Sequence, residues 1–278
     1  MSYLVVLLFG IALAAAGGQL LVYGIVELAR RLRLPATLVA ATVAAFGTSA
    51  PELAIALTSA FEGLPQISLG DALGSNIVNT SLVLGIVAVM LPLPASSRAA
   101  SREYAVALAV PCLTALLLSD GMLGRWDAAT LLIVFAAWLM VVIRDAMRQR
   151  APAGPPGGDG IRILGANVAG LALLIASGQL VVTGGGGLAR QLGVSSYAVG
   201  ATLVALGTSV PELATAFVAR WKQVGQVAVG TLLGSNIFNG LVVVAIPALV
   251  HPYAVEQAGI MITLAFGAAS VMLVIRRQ

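Results

Sequence analysis

Two glutamates inside apolar segments are the residues of this chain best suited to bind an ion. Glu52 and Glu212 lie 160 positions apart, and each follows a proline in the same motif, Gly-Thr-Ser-x-Pro-Glu. An unpaired charge in the middle of a membrane helix costs about 2.5–3.5 kcal/mol on insertion scales. Neither glutamate has an arginine or lysine within its own apolar segment. The sequence therefore predicts that a cation or a proton neutralises these carboxylates.

Each proline frees backbone oxygens next to its glutamate. Pro51 has no N–H for the carbonyl of Gly47, and Pro211 has the same effect four residues after Gly207. One such segment alone would indicate an ordinary proline kink, but two identical ones favour a site. Carbonyl, hydroxyl and carboxylate oxygens suit Ca²⁺ and Na⁺, and two carboxylates match a divalent charge. No His or Cys lies nearby in the sequence, which argues against zinc or copper. The hydroxyls predicted from this motif are Thr48, Ser49, Thr208 and Ser209.

A second motif, Gly-Ser-Asn-x-x-Asn, is duplicated at the same offset. Ser75 and Asn79 are four residues apart and therefore share one face of a helix. Ser235 and Asn239 repeat the arrangement. We predict that these side chains complete the site with neutral oxygens. The other asparagines of the motif are predicted to hydrogen-bond neighbouring helices: Asn76 and Asn236.

Asp71 breaks the duplication, because Thr231 stands at the corresponding position. It precedes Asn79 by two helical turns, so we predict that it lies on the order of 12 Å nearer the outer surface. The first interpretation is a hydrated residue at the mouth of the helix, whose neutralisation leaves transport largely intact. The alternative is a role in attracting cations from the outer side.

Composition indicates the environment of these residues. Hydrophobic residues make up 59% of the chain, charged residues 9%, and the mean hydropathy is +1.01. So few charges cannot cover a water-soluble domain, so we predict an all-α integral membrane protein. Nine membrane helices are expected, at 3–28, 35–60, 66–91, 103–119, 127–143, 162–188, 195–219, 225–249 and 254–275.

The distribution of basic residues predicts the topology. With the N-terminus outside and the C-terminus inside, all but two of the 15 basic residues face the cytoplasm. Five helices separate the two motif copies, so the copies cross the membrane in opposite directions, as in inverted-topology repeats. The predicted parts are a first repeat at 1–143, a cytoplasmic linker at 144–161, and a second repeat at 162–278 that is one helix short.

The paired motifs resemble the two repeats of the calcium/cation antiporter superfamily, in its prokaryotic sodium/calcium exchanger branch. The resemblance implies two inverted halves of five helices, exchange of Na⁺ for Ca²⁺ by alternating access, and long first helices that slide as gates. By matching motif positions, Glu52 and Glu212 are the shared ligands of both ions, and the carbonyls of Thr48 and Thr208 contact Ca²⁺. The resemblance assigns the flanking Na⁺ sites to Ala45, Ser49, Ser75, Ala205, Ser209 and Ser235, and the central position to Asn79 and Asn239.

The chain departs from the family pattern in two respects. The position of Asn239 is commonly aspartate in sodium/calcium exchangers, so the coupling ion is open between Na⁺ and H⁺. The sequence also shows no counterpart of the tenth helix, either because the protein is naturally short or because the chain was cut. That helix carries no motif residue, so we expect the ion site to be retained.

Other classes are compatible with parts of the pattern. The main alternative is an H⁺-coupled Ca²⁺ antiporter in which Glu52 and Glu212 take up protons. A cation channel would show symmetric rings of subunits rather than internal antiparallel repeats. An intramembrane enzyme would need a base beside Ser49 or Ser209, and the sequence offers none. We therefore expect no enzyme, no cofactor and no nucleic-acid or protein partner, but a multi-pass protein of the bacterial inner (plasma) membrane that contacts lipid and transported cations.

Overall fold

The computed structural model describes residues 2–31, 45–86, 98–148, 158–213, 216 and 225–275. Almost all of them are helical. The helices of the N-terminal part are α1 (Tyr3–Arg31), α2 (Ala45–Thr48), α3 (Ala50–Phe61), α4 (Pro65–Ile77), α5 (Arg98–Leu117) and α6 (Arg125–Arg148). Those of the C-terminal part are α7 (Gly160–Leu192), α8 (Ser196–Val199), α9 (Ala205–Thr208), α10 (Gly225–Phe238), α11 (Ala245–Val250) and α12 (Gln257–Ile275).

The predicted helical segments are helical over nearly all of their described residues. Parts of three predictions lie outside the described residues, at 35–44, 87–91, and 214–215 with 217–219. Five helices of the described part are long and apolar enough to cross a membrane: Tyr3–Leu28, Arg102–Asp120, Arg125–Asp145, Gly160–Leu192 and Val229–Val250. Helix α6 extends to Arg148 and α7 begins at Gly160, so both edges of the predicted linker are helical, and its middle part, 149–157, lies outside the described residues.

The last helix begins later than predicted, because a short antiparallel ribbon precedes it. Strand β1 (Met122–Leu123) pairs with β2 (Tyr253–Ala254), and α12 begins only at Gln257. Gln257 also donates from Nε2 to the carbonyl of Ser119 at 3.0 Å. The prediction of a helix from residue 254 was therefore wrong at its first three positions. The pairing joins the loop after α5 to the loop before α12, a long-range contact that local helical pattern does not reveal.

Helices α1 and α7 pack against each other in opposite directions. The start of α1 meets the end of α7, since a Cβ placed on Gly184 would lie 2.6 Å from the backbone nitrogen of Leu7. Further along, a Cβ on Gly170 would lie 2.7 Å from the nitrogen of Leu21. Glycine at these positions lets the two backbones touch, as small residues do in membrane helix pairs. Gly170 and Gly184 of α7 therefore serve close packing against α1.

Two helices are interrupted where the sequence places its prolines. Helix α2 ends at Thr48 and α3 begins at Ala50, with Ser49 at φ −85° and ψ 11° between them. Helix α9 ends at Thr208, and Ser209 has nearly the same angles, φ −76° and ψ 3°. The predicted breaks are confirmed at both positions. Three π-helical stretches lie next to the motif helices: Val78–Val83 follows α4, Gly200–Val204 precedes α9, and Asn239–Val243 follows α10. Such bulges are frequent at functional sites.

An aromatic cluster holds the interrupted helix α2 in place. Phe46 stacks on Phe238 of α10 with ring centroids 5.0 Å apart, and it also contacts Phe135 of α6 at 5.5 Å. Trp138 completes the group at 5.8 Å from Phe135. Because Phe46 lies three residues before Ser49, this apolar contact fixes the position of the break relative to α6 and α10.

Candidate functional site

The two predicted glutamates are fully buried, each with 0% of its surface exposed. Side chains of one part of the chain contact the glutamate of the other part. Ser49, at the first helix break, donates from Oγ to Oε1 of Glu212 at 3.2 Å. The hydroxyls of Thr48 and Ser235 lie alongside the same carboxylate. The structure thus brings polar groups of both motif copies together in one place.

The hydroxyl contacts occur in matching pairs. Thr48 Oγ1 and Ser235 Oγ are 3.2 Å apart, and Thr208 Oγ1 and Ser75 Oγ are 3.3 Å apart. Each pair joins a residue at a helix break to a serine of the Gly-Ser-Asn helix of the other part. The two contacts are therefore equivalent under the 160-residue offset of the sequence.

The asparagines link α4 directly to α10. Asn76 donates from Nδ2 to the carbonyl of Asn236, and Asn236 donates from Nδ2 to the carbonyl of Asn76, both at 3.1 Å. The prediction that these two residues bond neighbouring helices is confirmed. Asn79 also donates from Nδ2 to Oδ1 of Asn236 at 3.1 Å, whereas Asn239 has no hydrogen-bond partner for either side-chain atom within the described residues. Asn79 and Asn239, the two residues assigned to the central position, therefore differ in their hydrogen bonding.

Several buried oxygens of the site make no hydrogen bond to any described residue. Both carboxylate oxygens of Glu52 are in this state, as are Oε2 of Glu212 and the hydroxyl of Ser209. The ion pairs of the described part involve Arg30 and Arg102, and none reaches either glutamate. Burying such groups without a partner is costly, and the usual compensation is a proton or a bound cation.

The set of donors at the site indicates which ion fits. The described side chains beside Glu212 are the hydroxyls of Thr48, Ser49 and Ser235, and hydroxyl and carboxylate oxygens suit hard cations such as Ca²⁺ and Na⁺. No three His, Cys, Asp or Glu side chains of the described part form a group able to hold a metal by themselves. A cation bound here would therefore depend on two carboxylates together with neutral hydroxyl, amide and carbonyl oxygens.

Ala45 and Ala205, which the resemblance assigns to the flanking Na⁺ sites, lie one turn before the helix breaks. Ala205 is fully buried, and its carbonyl accepts from the backbone nitrogen of Ser209 at 3.1 Å. Ala45 is the first residue of α2. Both lie on the interrupted helices that carry the glutamates.

The predicted position of Asp71 was wrong. We predicted a hydrated residue at the mouth of the helix, yet its exposed surface is 0%. Its Oδ1 accepts from Thr208 Oγ1 at 2.8 Å and from Ser75 Oγ at 3.4 Å. The physical reason is close helix packing, since a Cβ on Gly200 would lie only 2.3 Å from the carbonyl oxygen of Ile67. The backbone of the C-terminal part therefore covers α4 one turn before Asp71.

Gly18 is a residue that the sequence interpretation did not place at the site. A Cβ at Gly18 would lie 3.3 Å from Cγ of Pro51 and 3.8 Å from Cγ of Pro211. Helix α1 therefore passes over both interrupted helices at once. The available signal was the repetition of Gly-Gln-Leu at residues 18–20 and 178–180, which indicates equivalence but not contact.

The chain is similar to known proteins over most of its length. Residues 2–144 and 163–278 match the family model described as sodium/calcium exchanger protein. A candidate antiporter of Alkalimonas amylolytica, CaxA, is 34% identical over 90% of this chain and 82% of its own length. The inner membrane protein YrbG of Escherichia coli is 32% identical over 88% of this chain and 79% of its own. A structure of the sodium-calcium exchanger NCX_Mj soaked with Na⁺ and Sr²⁺ aligns with a TM-score of 0.67 at 28% identity, covering 98% of this chain and 89% of that one.

Proposed function

We propose that this chain, which belongs to the sodium/calcium exchanger protein family within the calcium/cation antiporter superfamily, exchanges Na⁺ for Ca²⁺ across the membrane. Membership of the family makes the protein a multi-pass membrane antiporter of cations. The observation that supports exchange of Na⁺ for Ca²⁺ is the pair of fully buried glutamates without a basic partner among the described residues.

In the proposed mechanism, Na⁺ and Ca²⁺ compete for overlapping oxygens. Glu52 and Glu212 together offer a charge of −2, and the neighbouring hydroxyls replace part of the hydration shell of a Ca²⁺ ion. Na⁺ ions share the glutamates and occupy the flanking positions near the serines. Because both ions need the same carboxylates, binding of one displaces the other, and this competition couples the two fluxes.

We further propose that α1 and α7 slide together as the gate. Two observations support this: the helices touch along their lengths, and Gly18 lies against Pro51 and Pro211. Because Gly18 has no side chain, the contact of α1 with both prolines is shallow at this point, and we propose that α1 moves past the breaks here. A site loaded with ions would neutralise the glutamates and allow the gate to cross.

The proposed topology is two inverted repeats, the first ending with α6 and the second beginning with α7, joined by a cytoplasmic linker, with nine helices, the N-terminus outside and the C-terminus inside. Its support is the antiparallel packing of α1 and α7, which are corresponding helices, together with the paired hydroxyl and asparagine contacts. The name of the Escherichia coli relative supports an inner membrane location.

A substitution at Gly18 tests the gate. We expect Gly18→Leu to slow exchange at least about ten-fold, because the larger side chain overpacks the contact with both prolines, and overpacking typically costs 1–3 kcal/mol. Equilibrium binding of Ca²⁺ should change much less than the exchange rate. The matched control is Ala16→Leu on the exposed side of the same helix. Equal rates in Gly18→Leu and the control would contradict a sliding contact at this position.

Flux in proteoliposomes tests the exchange itself. The purified chain is reconstituted with internal Na⁺, and uptake of radioactive Ca²⁺ is followed at fixed pH while external Na⁺, H⁺ and K⁺ are varied separately. We expect uptake that requires an outward Na⁺ gradient and stops when the gradient collapses. A response to a pH step with none to Na⁺ would instead establish H⁺ coupling. Ca²⁺ flux without any counter-ion would indicate a channel.

A further inference from the structure

Asp71 is a third buried carboxylate of this region, and the proposed mechanism assigns it no role. Its Oδ1 accepts from the hydroxyls of Thr208 and Ser75, and these two hydroxyls lie 3.3 Å from each other. Its second oxygen, Oδ2, is buried and has no hydrogen-bond partner among the described residues. One carboxylate and two hydroxyls thus form a compact oxygen cluster that has an unused ligand atom.

Asp71 also lies close enough for its charge to act on Glu52 and to be affected by Glu212. The ion pairs of the described part do not include it. Three carboxylates therefore share one buried region, and a single Ca²⁺ ion would leave one negative charge uncompensated. A proton or a further cation at Asp71 would compensate the burial of that charge.

The corresponding position in the other part of the chain differs in charge. Thr231 is buried, with 3% of its surface exposed, and its hydroxyl has no partner among the described residues. The Ser75–Thr208 pair therefore has a carboxylate beside it, whereas the equivalent Thr48–Ser235 pair has a threonine at the matching sequence position. The two sides of the site are chemically unequal even though their motifs are identical.

We propose that Asp71 is a further ligand of the transport site and binds a monovalent hard cation of the size of Na⁺, together with Ser75 and Thr208. This inference rests on the proposed function and deepens it. A monovalent ion matches the single charge of Asp71, while the two glutamates remain available to Ca²⁺. Asp71 thereby supplies a carboxylate to a site in which Asn239 provides only a neutral amide. The flanking position next to Asp71 should hold Na⁺ more tightly than its counterpart next to Thr231.

The test compares Asp71→Asn with Thr231→Val, a matched substitution at the neutral counterpart. Competition of NaCl, balanced with choline chloride, against radioactive Ca²⁺ is measured at equilibrium on the purified full chain. We expect Asp71→Asn to raise the half-saturating Na⁺ concentration about ten-fold, a change equivalent to roughly 1.4 kcal/mol, and to lower the Hill coefficient for Na⁺. The half-saturating Ca²⁺ concentration should shift by a much smaller factor, and Thr231→Val should leave the Na⁺ dependence within about two-fold of the original.

An unchanged Na⁺ dependence in Asp71→Asn would overturn the proposal, and so would equal shifts for Na⁺ and Ca²⁺. Asp71→Glu, which keeps the carboxylate, should retain most of the Na⁺ affinity, whereas Asp71→Ser should lose it like Asp71→Asn. These variants decide the question if the asparagine variant folds poorly. The proposed function fails separately, if the unsubstituted chain shows no competition between Na⁺ and Ca²⁺. Direct binding of radioactive Na⁺ that is lost in Asp71→Asn would then still support the Asp71 site.

Discussion

Replacing either buried glutamate by glutamine is expected to reduce Na⁺-driven Ca²⁺ uptake by about 100-fold or more. Losing one partner of a buried charged interaction costs roughly 3–5 kcal/mol, which corresponds to a factor of at least 100 in binding. In Glu52→Gln the amide replaces a carboxylate whose two oxygens have no other partner in the described part of the chain. In Glu212→Gln the donor Ser49 Oγ keeps an oxygen to bond, but the charge is gone.

The same substitutions should have the opposite effect on the stability of the ion-free protein. Removing a buried charge that lacks a partner relieves a desolvation cost, so the ion-free variants should melt at the same temperature as the original chain or higher. Added Ca²⁺ should raise the melting temperature of the original chain but not that of the variants. Glu256→Gln is the control, because Glu256 is exposed and distant in sequence from both motifs. Normal uptake in either glutamate variant would contradict the assignment of the ligands.

The second large effect concerns the contact that buries Asp71. We expect Gly200→Ala to lower the melting temperature by roughly 10 °C, because its Cβ would lie 2.3 Å from the carbonyl oxygen of Ile67 and a backbone oxygen in a helix cannot easily move. The matched control is Gly165→Ala in α7, whose Cβ would meet no atom within 4 Å. Melting is followed by tryptophan fluorescence of the purified protein in detergent.

The control should keep its stability or gain slightly, since alanine favours helix over glycine by up to about 1 kcal/mol. If Gly200→Ala melts together with Gly165→Ala, the close approach of α4 to the segment Gly200–Val204 is not present in the protein. Loss of stability confined to Gly200→Ala would agree with direct backbone contact at this point.

Much of the helical framework could be predicted, because apolar segments long enough to span a membrane can be recognised directly in the sequence. The helix breaks at Ser49 and Ser209 were also predictable, since proline removes a defined hydrogen bond. The start of α12 was not, because the pairing of Met122–Leu123 with Tyr253–Ala254 joins residues far apart in sequence. Local propensity carries no information about such a contact.

The site illustrates the same limit. Spacing placed Ser75 and Asn79 on one helix face, but it assigned Asp71 to the helix mouth by counting turns along α4 alone. Burial of Asp71 depends on Gly200, which comes from the other part of the chain. The sequence did contain a weak signal, because Gly70 and Gly74 lie close to Asp71 on α4 and glycine often marks close helix contact.

Identical motifs also predicted equivalent environments, and this holds only in part. The hydroxyl pairs and the reciprocal bonds of Asn76 and Asn236 are equivalent. Asn79 has a hydrogen-bond partner in the described part of the chain, however, and Asn239 has none there. The difference arises because the Oδ1 atom of Asn236 can be reached from Asn79, while the Oδ1 atom of Asn76 has no described donor. Such a choice between near-equivalent partners depends on side-chain packing and cannot be read from motif spacing.

Equilibrium binding of radioactive Ca²⁺ to the purified full chain at fixed pH tests the shared site most directly. We predict saturable binding that Na⁺ displaces and choline does not, and that disappears in Glu52→Gln and in Glu212→Gln. Saturable Ca²⁺ binding that persists in both glutamine variants, or that Na⁺ cannot displace, would contradict the claim that two buried carboxylates form one site shared by both ions.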